Sequence, residues 1–316
     1  MMPWSFRSKI ALIAVIVAVI FNFLSFVSGF PGINELSVSP ILASDILPLQ
    51  KDVYRMASPP PFLSLLSARS VYVSSEKPDI YPIIRYKVDE QAPLASLTKL
   101  MTALVILDLE LNWTEEVQIK SSDYREGSVP KIFPGEILTR EDLWTLALVG
   151  SDNTATISLV NSLGISEEEF IKKMNEKSSR VGLTKTVFIE PTGLSSQNLS
   201  TSREIAAIAR IAFSQKKITE VLKLPKAEIT VSGKKRTVYS TDQHIKTHQI
   251  NNGSEWAFVT GKTGYINESG YNVVLLAKND NNKEILVAIL GSSSDLARAE
   301  EVNRLARWSF ENVIVK

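Results

Sequence analysis

Strand-forming sequence stands at both ends of the region after residue 62, with helical pattern between, and this order constrains the fold more than any other feature. At the front, Ser70-Val71-Tyr72-Val73 and Ile83-Ile84-Arg85-Tyr86-Lys87-Val88 are dominated by aromatic and β-branched residues, with Pro78 and Pro82 punctuating the turn. At the back, Trp256 to Thr260 runs into Lys262, and Asn272 to Ala277 and Ile285 to Leu290 follow at a spacing that predicts an antiparallel meander turning at Asn279 to Asn282. Helices are predicted over Ser96 to Leu111, Arg140 to Val149, Asn153 to Ser162, Glu167 to Val181 and Thr201 to Phe213. The first is apolar nearly all round, as a helix buried in mid-domain must be. Asp295 to Ile314 closes the chain as an amphipathic helix, with Leu296, Ala299, Val302, Leu305, Ala306 and Val313 on its apolar face. Strands at both ends pair most simply with each other, so the expected class is α+β: one antiparallel sheet assembled from both ends of the chain. The sequence has no internal repeat.

The N-terminus addresses the protein. Ile10 to Val27 is apolar except for Asn22 and Ser25, and as a helix of about 27 Å it matches the ~30 Å core of a bilayer. Arg7 and Lys9 precede it and no basic residue follows before Lys51, which leaves residues 1–9 as a cytoplasmic tail and sends the rest outside. Residues 10–28 are read as a transmembrane anchor or signal segment, since Val27-Ser28-Gly29 also offers small residues for a signal peptidase. Residues 29–61 read as a Pro/Ser-rich linker; six of the fourteen prolines fall between 31 and 61. The competing reading is an ordered arm on the domain. The expected location is therefore the cell membrane, single-pass with residues 62–316 on the extracytoplasmic side, or secreted or periplasmic after signal cleavage.

Composition removes several chemistries. No cysteine is present, which excludes disulfides, thiol catalysis, zinc–cysteine sites and iron–sulfur clusters. Lys and Arg total 35 against 34 Asp and Glu, so no large charge gathers nucleic acid. His244 and His248 sit four apart, but no glutamate follows His244 and no third ligand can be named, so no metal site is expected.

Three short motifs carry the chemistry. Ser96-Leu97-Thr98-Lys99 puts a hydroxyl and an amine one turn apart at the head of a buried helix. Serine needs a neighbouring base to become a nucleophile, and an unprotonated lysine is the base this composition offers. The same spacing recurs at Ser74 to Lys77, Ser214 to Lys217 and Ser232 to Lys235, all read as solvated surface. Ser151-Asp152-Asn153 opens another helix, where a plain N-cap is the alternative reading, and Ser196-Gln197-Asn198 repeats its pattern. Lys262-Thr263-Gly264 follows the apolar strand Trp256 to Thr260. Its cation and hydroxyl suit a substrate carboxylate, and its glycine marks a close approach, read as that of a substrate backbone. The alternative there is an edge-strand lysine followed by a bulge.

In this order the motifs resemble those of the penicillin-recognising serine peptidases, above all the low-molecular-mass penicillin-binding proteins, the D-alanyl-D-alanine carboxypeptidases and endopeptidases. Ala95 to Ala103, Pro191-Thr192-Gly193-Leu194 with Ser200-Thr201, and Gly261 to Tyr265 extend the likeness, which covers roughly residues 62–316. The resemblance implies a β-lactamase/DD-peptidase-like transpeptidase fold, with an antiparallel sheet flanked by helices and an all-helical region. It implies D-alanyl-D-alanine carboxypeptidase action on peptidoglycan stem peptides ending in D-Ala-D-Ala, with β-lactam antibiotics as inhibitors and no metal or organic cofactor. By the same resemblance Ser96 is the nucleophile, Lys99 its general base, and Ser151 a proton relay. Asn153 holds the substrate amide, Lys262 and Thr263 the terminal carboxylate, and the backbone N–H groups of Ser96 and Tyr265 the oxyanion, with Gly264 beside them. For Lys99 to act as a base its pKa must fall from ~10.4 to roughly 7.4, which burial and the charge of Lys262 together can supply.

Departures from the family pattern leave alternatives. Only fifty-two residues follow Gly264, too few for the second β-rich domain and C-terminal anchor of many of these carboxypeptidases. That shortened plan also resembles the crosslink-cutting endopeptidases. Glu190 precedes Pro191 where asparagine or aspartate is usual, which raises a class A-like β-lactamase, although the Glu-x-x-Leu-Asn context is missing. A catalytically idle, tethered wall-binding protein is the non-enzymatic alternative.

Overall fold

The computed structural model describes residues 60–77, 81–127, 130–243, 245 and 256–312. The domain opens with β1 (Ser70–Lys77), β2 (Pro82–Tyr86) and β3 (Ala92–Pro93), and a 3-10 turn at Ala95–Leu97 leads into α1 (Thr98–Leu107). The middle comprises β4 (Glu116–Gln118), β5 (Ile137–Thr139), α2 (Arg140–Val149), α3 (Asn153–Asn161), α4 (Glu167–Arg180), β6 (Leu199–Ser200), α5 (Ser202–Ser214), α6 (Lys216–Leu222) and a hairpin of β7 (Lys226–Val231) and β8 (Lys234–Tyr239). Then come β9 (Trp256–Ile266), β10 (Gly270–Asn279), β11 (Glu284–Ser292) and α7 (Asp295–Asn312).

The five long strands form one antiparallel sheet in the order β2-β1-β11-β10-β9, so the first strand lies beside the last, as the two-ended pattern requires. Period-two alternation divides the side chains between two cores. Val71, Val73, Val273, Leu275, Val287 and Ile289 pack under α7 against Ala299, Val302, Leu305 and Ala306. Tyr72, Val274, Leu286, Ala288 and Leu290 face the helical region on the other side. Helix starts follow local chemistry: Thr139, Asp152, Ser166 and Thr201 each accept a hydrogen bond from the backbone N–H three residues on.

Four readings change. The helix predicted from Ser96 is a 3-10 turn followed by ten α-helical residues, and it ends at Leu107 rather than Leu111. Leu296 is 61% exposed and does not belong to the apolar face of α7. Ser74 is buried in β1, where it accepts from Arg210 at 3.1 Å, and is not solvated surface. The β7–β8 hairpin escaped the pattern because its strands are mostly charged on one face; its turn places Ser232 at φ 47° and Gly233 at φ 76°, the left-handed pair of a tight hairpin. Among the described residues no helix is long and apolar enough to cross a membrane. The apolar segment Ile10 to Val27, the linker up to residue 59, and His244 and His248 lie outside the described residues.

Candidate active site

The turn that carries Ser96 is held by two glycines from distant parts of the chain. Ala95 has φ 48°, a left-handed conformation costly for an L-residue. A Cβ added at Gly193, itself at φ 91°, would lie 1.8 Å from the Ala95 carbonyl oxygen, and one at Gly264 would lie 2.8 Å from the Ser96 nitrogen. Gly264 therefore marks close approach by the backbone of the Ser96 turn, not by a substrate. Asn272 on β10, fully buried, donates to the carbonyls of Pro93 and Leu94 at 2.9 and 3.1 Å and so fixes the entry to the turn.

From that turn Ser96 stands half-buried, with the Lys99 amine 3.1 Å from its Oγ. Lys99 is 1% exposed and also donates to Asn153 Oδ1 at 2.7 Å and to the Thr192 carbonyl at 2.8 Å. Asn153, expected to hold a substrate amide, thus turns its carbonyl oxygen to the Lys99 amine. Burial pulls the Lys99 amine down to about 8, against the Glu190 and Asp152 carboxylates, which hold it up, while Lys131 lowers it further.

A second hydroxyl–amine pair faces the first. Lys262 on β9, 2% exposed, donates to Ser151 Oγ at 2.8 Å and to the Thr263 carbonyl at 2.9 Å. Burial takes its amine well below the ordinary lysine value, with the charges of Lys99, Arg298 and Lys131 adding to the effect and Asp242 opposing it. The repulsion foreseen between the two lysines is among the influences that lower Lys262. Ser151 sits at φ 54° in the elbow between α2 and α3. The cap of α3 is Asp152, whose Oδ1 accepts from the Ala155 N–H at 2.8 Å, so Ser151 keeps its hydroxyl for Lys262.

Thr263 is steered by Thr241, their Oγ1 atoms 2.9 Å apart. Tyr265 is half exposed and stacks on Tyr271 with ring centroids 4.3 Å apart. The structure thus brings Ser96, Lys99 and Asn153 into one cluster and Ser151, Lys262 and Thr263 into another, with Gly264 touching the Ser96 turn. Glu190 braces the loop that follows it: its carboxylate accepts from the Thr192 N–H at 2.7 Å, the Thr192 hydroxyl at 2.6 Å and Asn198 Nδ2 at 2.8 Å. Asn198, part of the repeated Ser-x-Asn pattern, also donates to Thr98 Oγ1 at 3.1 Å, so that pattern supports the site from behind. Sequence reasoning passed over Lys131, Thr241 and Asn272; for Asn272, an asparagine within an apolar strand was the available signal. No group of three or more His, Asp or Glu able to hold a metal occurs among the described residues.

The family model for D-alanyl-D-alanine carboxypeptidase, peptidase family S11, matches residues 83–294, a span that contains all three motifs. The chain belongs to this family of serine peptidases. A D-alanyl-D-alanine endopeptidase of Pseudomonas aeruginosa is 30% identical over 259 residues, covering 80% of this chain and 82% of that protein. A D-alanyl-D-alanine carboxypeptidase of Bacillus subtilis is 29% identical, covering 70% of this chain but 57% of its own length. In fold, the chain is similar to the Streptomyces K15 DD-transpeptidase, with a TM-score of 0.69 at 23% identity over 80% of this chain and 99% of that one. The α+β class expected from the sequence is therefore the fold of the DD-peptidases.

Proposed function

We propose that this chain is a serine DD-peptidase that hydrolyses the bond after the penultimate D-alanine of peptidoglycan peptides through an acyl-enzyme on Ser96. The carrying observation is the buried Lys99 amine, 3.1 Å from Ser96 Oγ and lowered to about 8, a base poised close to neutral pH. Ser96 Oγ attacks the D-alanyl carbonyl as its proton passes to Lys99, and the backbone N–H groups of Ser96 and Tyr265 receive the developing oxyanion. The C–N bond breaks as the leaving amine takes a proton through Ser151, whose Oγ the Lys262 amine holds at 2.8 Å. Water then cleaves the Ser96 ester. Lys262 and Thr263 bind the carboxylate of the leaving residue, and β9, at the edge of the sheet, offers its free side to an extended peptide. β-Lactams acylate the same serine. The N-terminal apolar segment anchors the chain in the membrane and residues 62–316 act outside it.

Two substrates fit this chemistry. Carboxypeptidase action releases terminal D-alanine; endopeptidase action releases the side-chain amine of a neighbouring stem peptide. The greater share of its own length that the Pseudomonas endopeptidase aligns with this chain, 82% against 57% for the Bacillus carboxypeptidase, supports the crosslink as substrate. Glu190 is taken up by its own loop, which weighs against a β-lactamase-like role for it.

The test is intact-mass spectrometry of the full chain with benzylpenicillin, followed by peptide mapping and by assays with a crosslinked muropeptide dimer and a pentapeptide monomer. A lasting adduct on Ser96 and monomers from the dimer are expected. Drug hydrolysis without an adduct would transfer the reading to a β-lactamase, and neither outcome from folded protein would leave the idle wall-binding protein.

A further inference from the structure

Lys131 lies on the segment leading to β5, and both ends of the residue are committed. Its backbone carbonyl accepts from Arg236 on β8 at 2.8 Å, and Arg236 in turn donates to Glu136 Oε2 at 3.2 Å. Its ammonium crosses to the Gly150 carbonyl at 3.0 Å. Gly150 ends α2, and its carbonyl sits at the negative end of that helix, where a cation is favoured. There is no slack around it: a Cβ at Gly150 would lie 2.8 Å from Val238 Cγ1. On the far side of Ser151, the Asp152 N–H donates to the Leu146 carbonyl at 3.3 Å. The peptide groups flanking Ser151 are thus fastened on both sides, and between them Ser151 keeps its left-handed backbone at φ 54° and its hydroxyl on Lys262. Such a conformation persists only where its surroundings enforce it.

We propose that Lys131 is a positioning residue of the proton relay: by clamping the Gly150 carbonyl it keeps the α2–α3 elbow closed and Ser151 Oγ on the Lys262 amine. This deepens the DD-peptidase reading and rests on it. The charge of Lys131 works in the same direction as its geometry. Lys99 faces the Glu190 and Asp152 carboxylates and Lys131; Lys262 faces Lys99, Arg298, Asp242 and Lys131. Lys131 is thus a cation common to both buried amines, favouring their unprotonated forms.

The experiment compares the full-length chain with Lys131→Met and Lys131→Arg, measuring the rate of Ser96 acylation by benzylpenicillin from pH 6 to 10 and the thermal midpoint of each protein. Lys131→Met is expected to acylate about tenfold or more slowly at pH 7, with the midpoint of its pH profile displaced above that of the wild type. Lys131→Arg, which can reach the same carbonyl with the same charge, is expected to recover most of the rate and the original midpoint. Wild-type rate and profile in Lys131→Met would overturn the proposal. So would a loss equal at every pH that arginine does not repair, because that is the mark of general loosening. A wild-type chain that takes no adduct at all would sink the DD-peptidase reading itself, and this role with it.

Discussion

The site contains two serine–lysine pairs, and they are built in opposite ways. Ser96 and Lys99 come from one turn of chain, three residues apart, and helical spacing already brings them to the same face, where they meet at 3.1 Å. Ser151 and Lys262 are 111 residues apart and meet at 2.8 Å only because the α2–α3 elbow and β9 are packed against each other. The surroundings differ too. Lys99 is ringed by acceptors, with Asn153 and the Thr192 carbonyl beside Ser96 and two carboxylates nearby, and stays near 8. Lys262, also drawn down by burial, faces the like charges of Lys99, Arg298 and Lys131 against the one carboxylate of Asp242. The local pair suits a base that cycles its proton, whereas the remote pair suits a relay that orients a hydroxyl and then meets an anionic substrate, whose negative charge favours the protonated amine.

That contrast can be broken experimentally. The largest effect is expected from Ser96→Ala, which removes the proposed nucleophile and should abolish the benzylpenicillin adduct and reduce peptide hydrolysis by at least about a thousandfold. Next, Gly193→Ala forces a Cβ to within 1.8 Å of the Ala95 carbonyl oxygen and should cost about 3 kcal/mol or more in denaturant unfolding, because neither backbone can yield and φ is left-handed. Ser151→Ala, which breaks only the remote pair, should slow turnover by about a hundredfold while leaving slow acylation at Ser96 detectable by mass. The smallest and most informative effect is in pH. With the Lys99 amine near 8, the free-base fraction rises as pH rises through that value, so acylation should gain about tenfold between pH 7 and 9. A flat profile over that range would remove Lys99 as the base.

Legibility in the sequence follows the same division. Local pattern carried the strands of the sheet, the capped helices such as Arg140–Val149, and the Ser96–Lys99 pair, because their causes lie within a few residues. What the sequence left hidden depends on distance. Nothing near Gly264 announces that its neighbour is the Ser96 nitrogen, and nothing near Lys131 announces the Gly150 carbonyl. Local polarity misled as well. Ser74 lies in a polar run yet is buried, since Arg210 and Glu76 form an ion pair beside it at 2.8 Å. Leu296 looks like core, yet it sits in the first turn of α7 with its side chain outside. The family likeness named the two halves of the site without showing that a glycine on β9 seats the serine of the other half.

The position of that glycine has a consequence in time. A chain is made from its N-terminus, and Ser96 is in hand long before β9. Until β9 has been added beside β10, the turn bearing Ser96 lacks one of its two walls, and Ser151 lacks Lys262. A partly made chain, or one cut short before β9, therefore carries Ser96 and Lys99 without the wall that seats the serine and without Lys262. Chemistry at Ser96 must wait until β9 has been made and paired into the sheet.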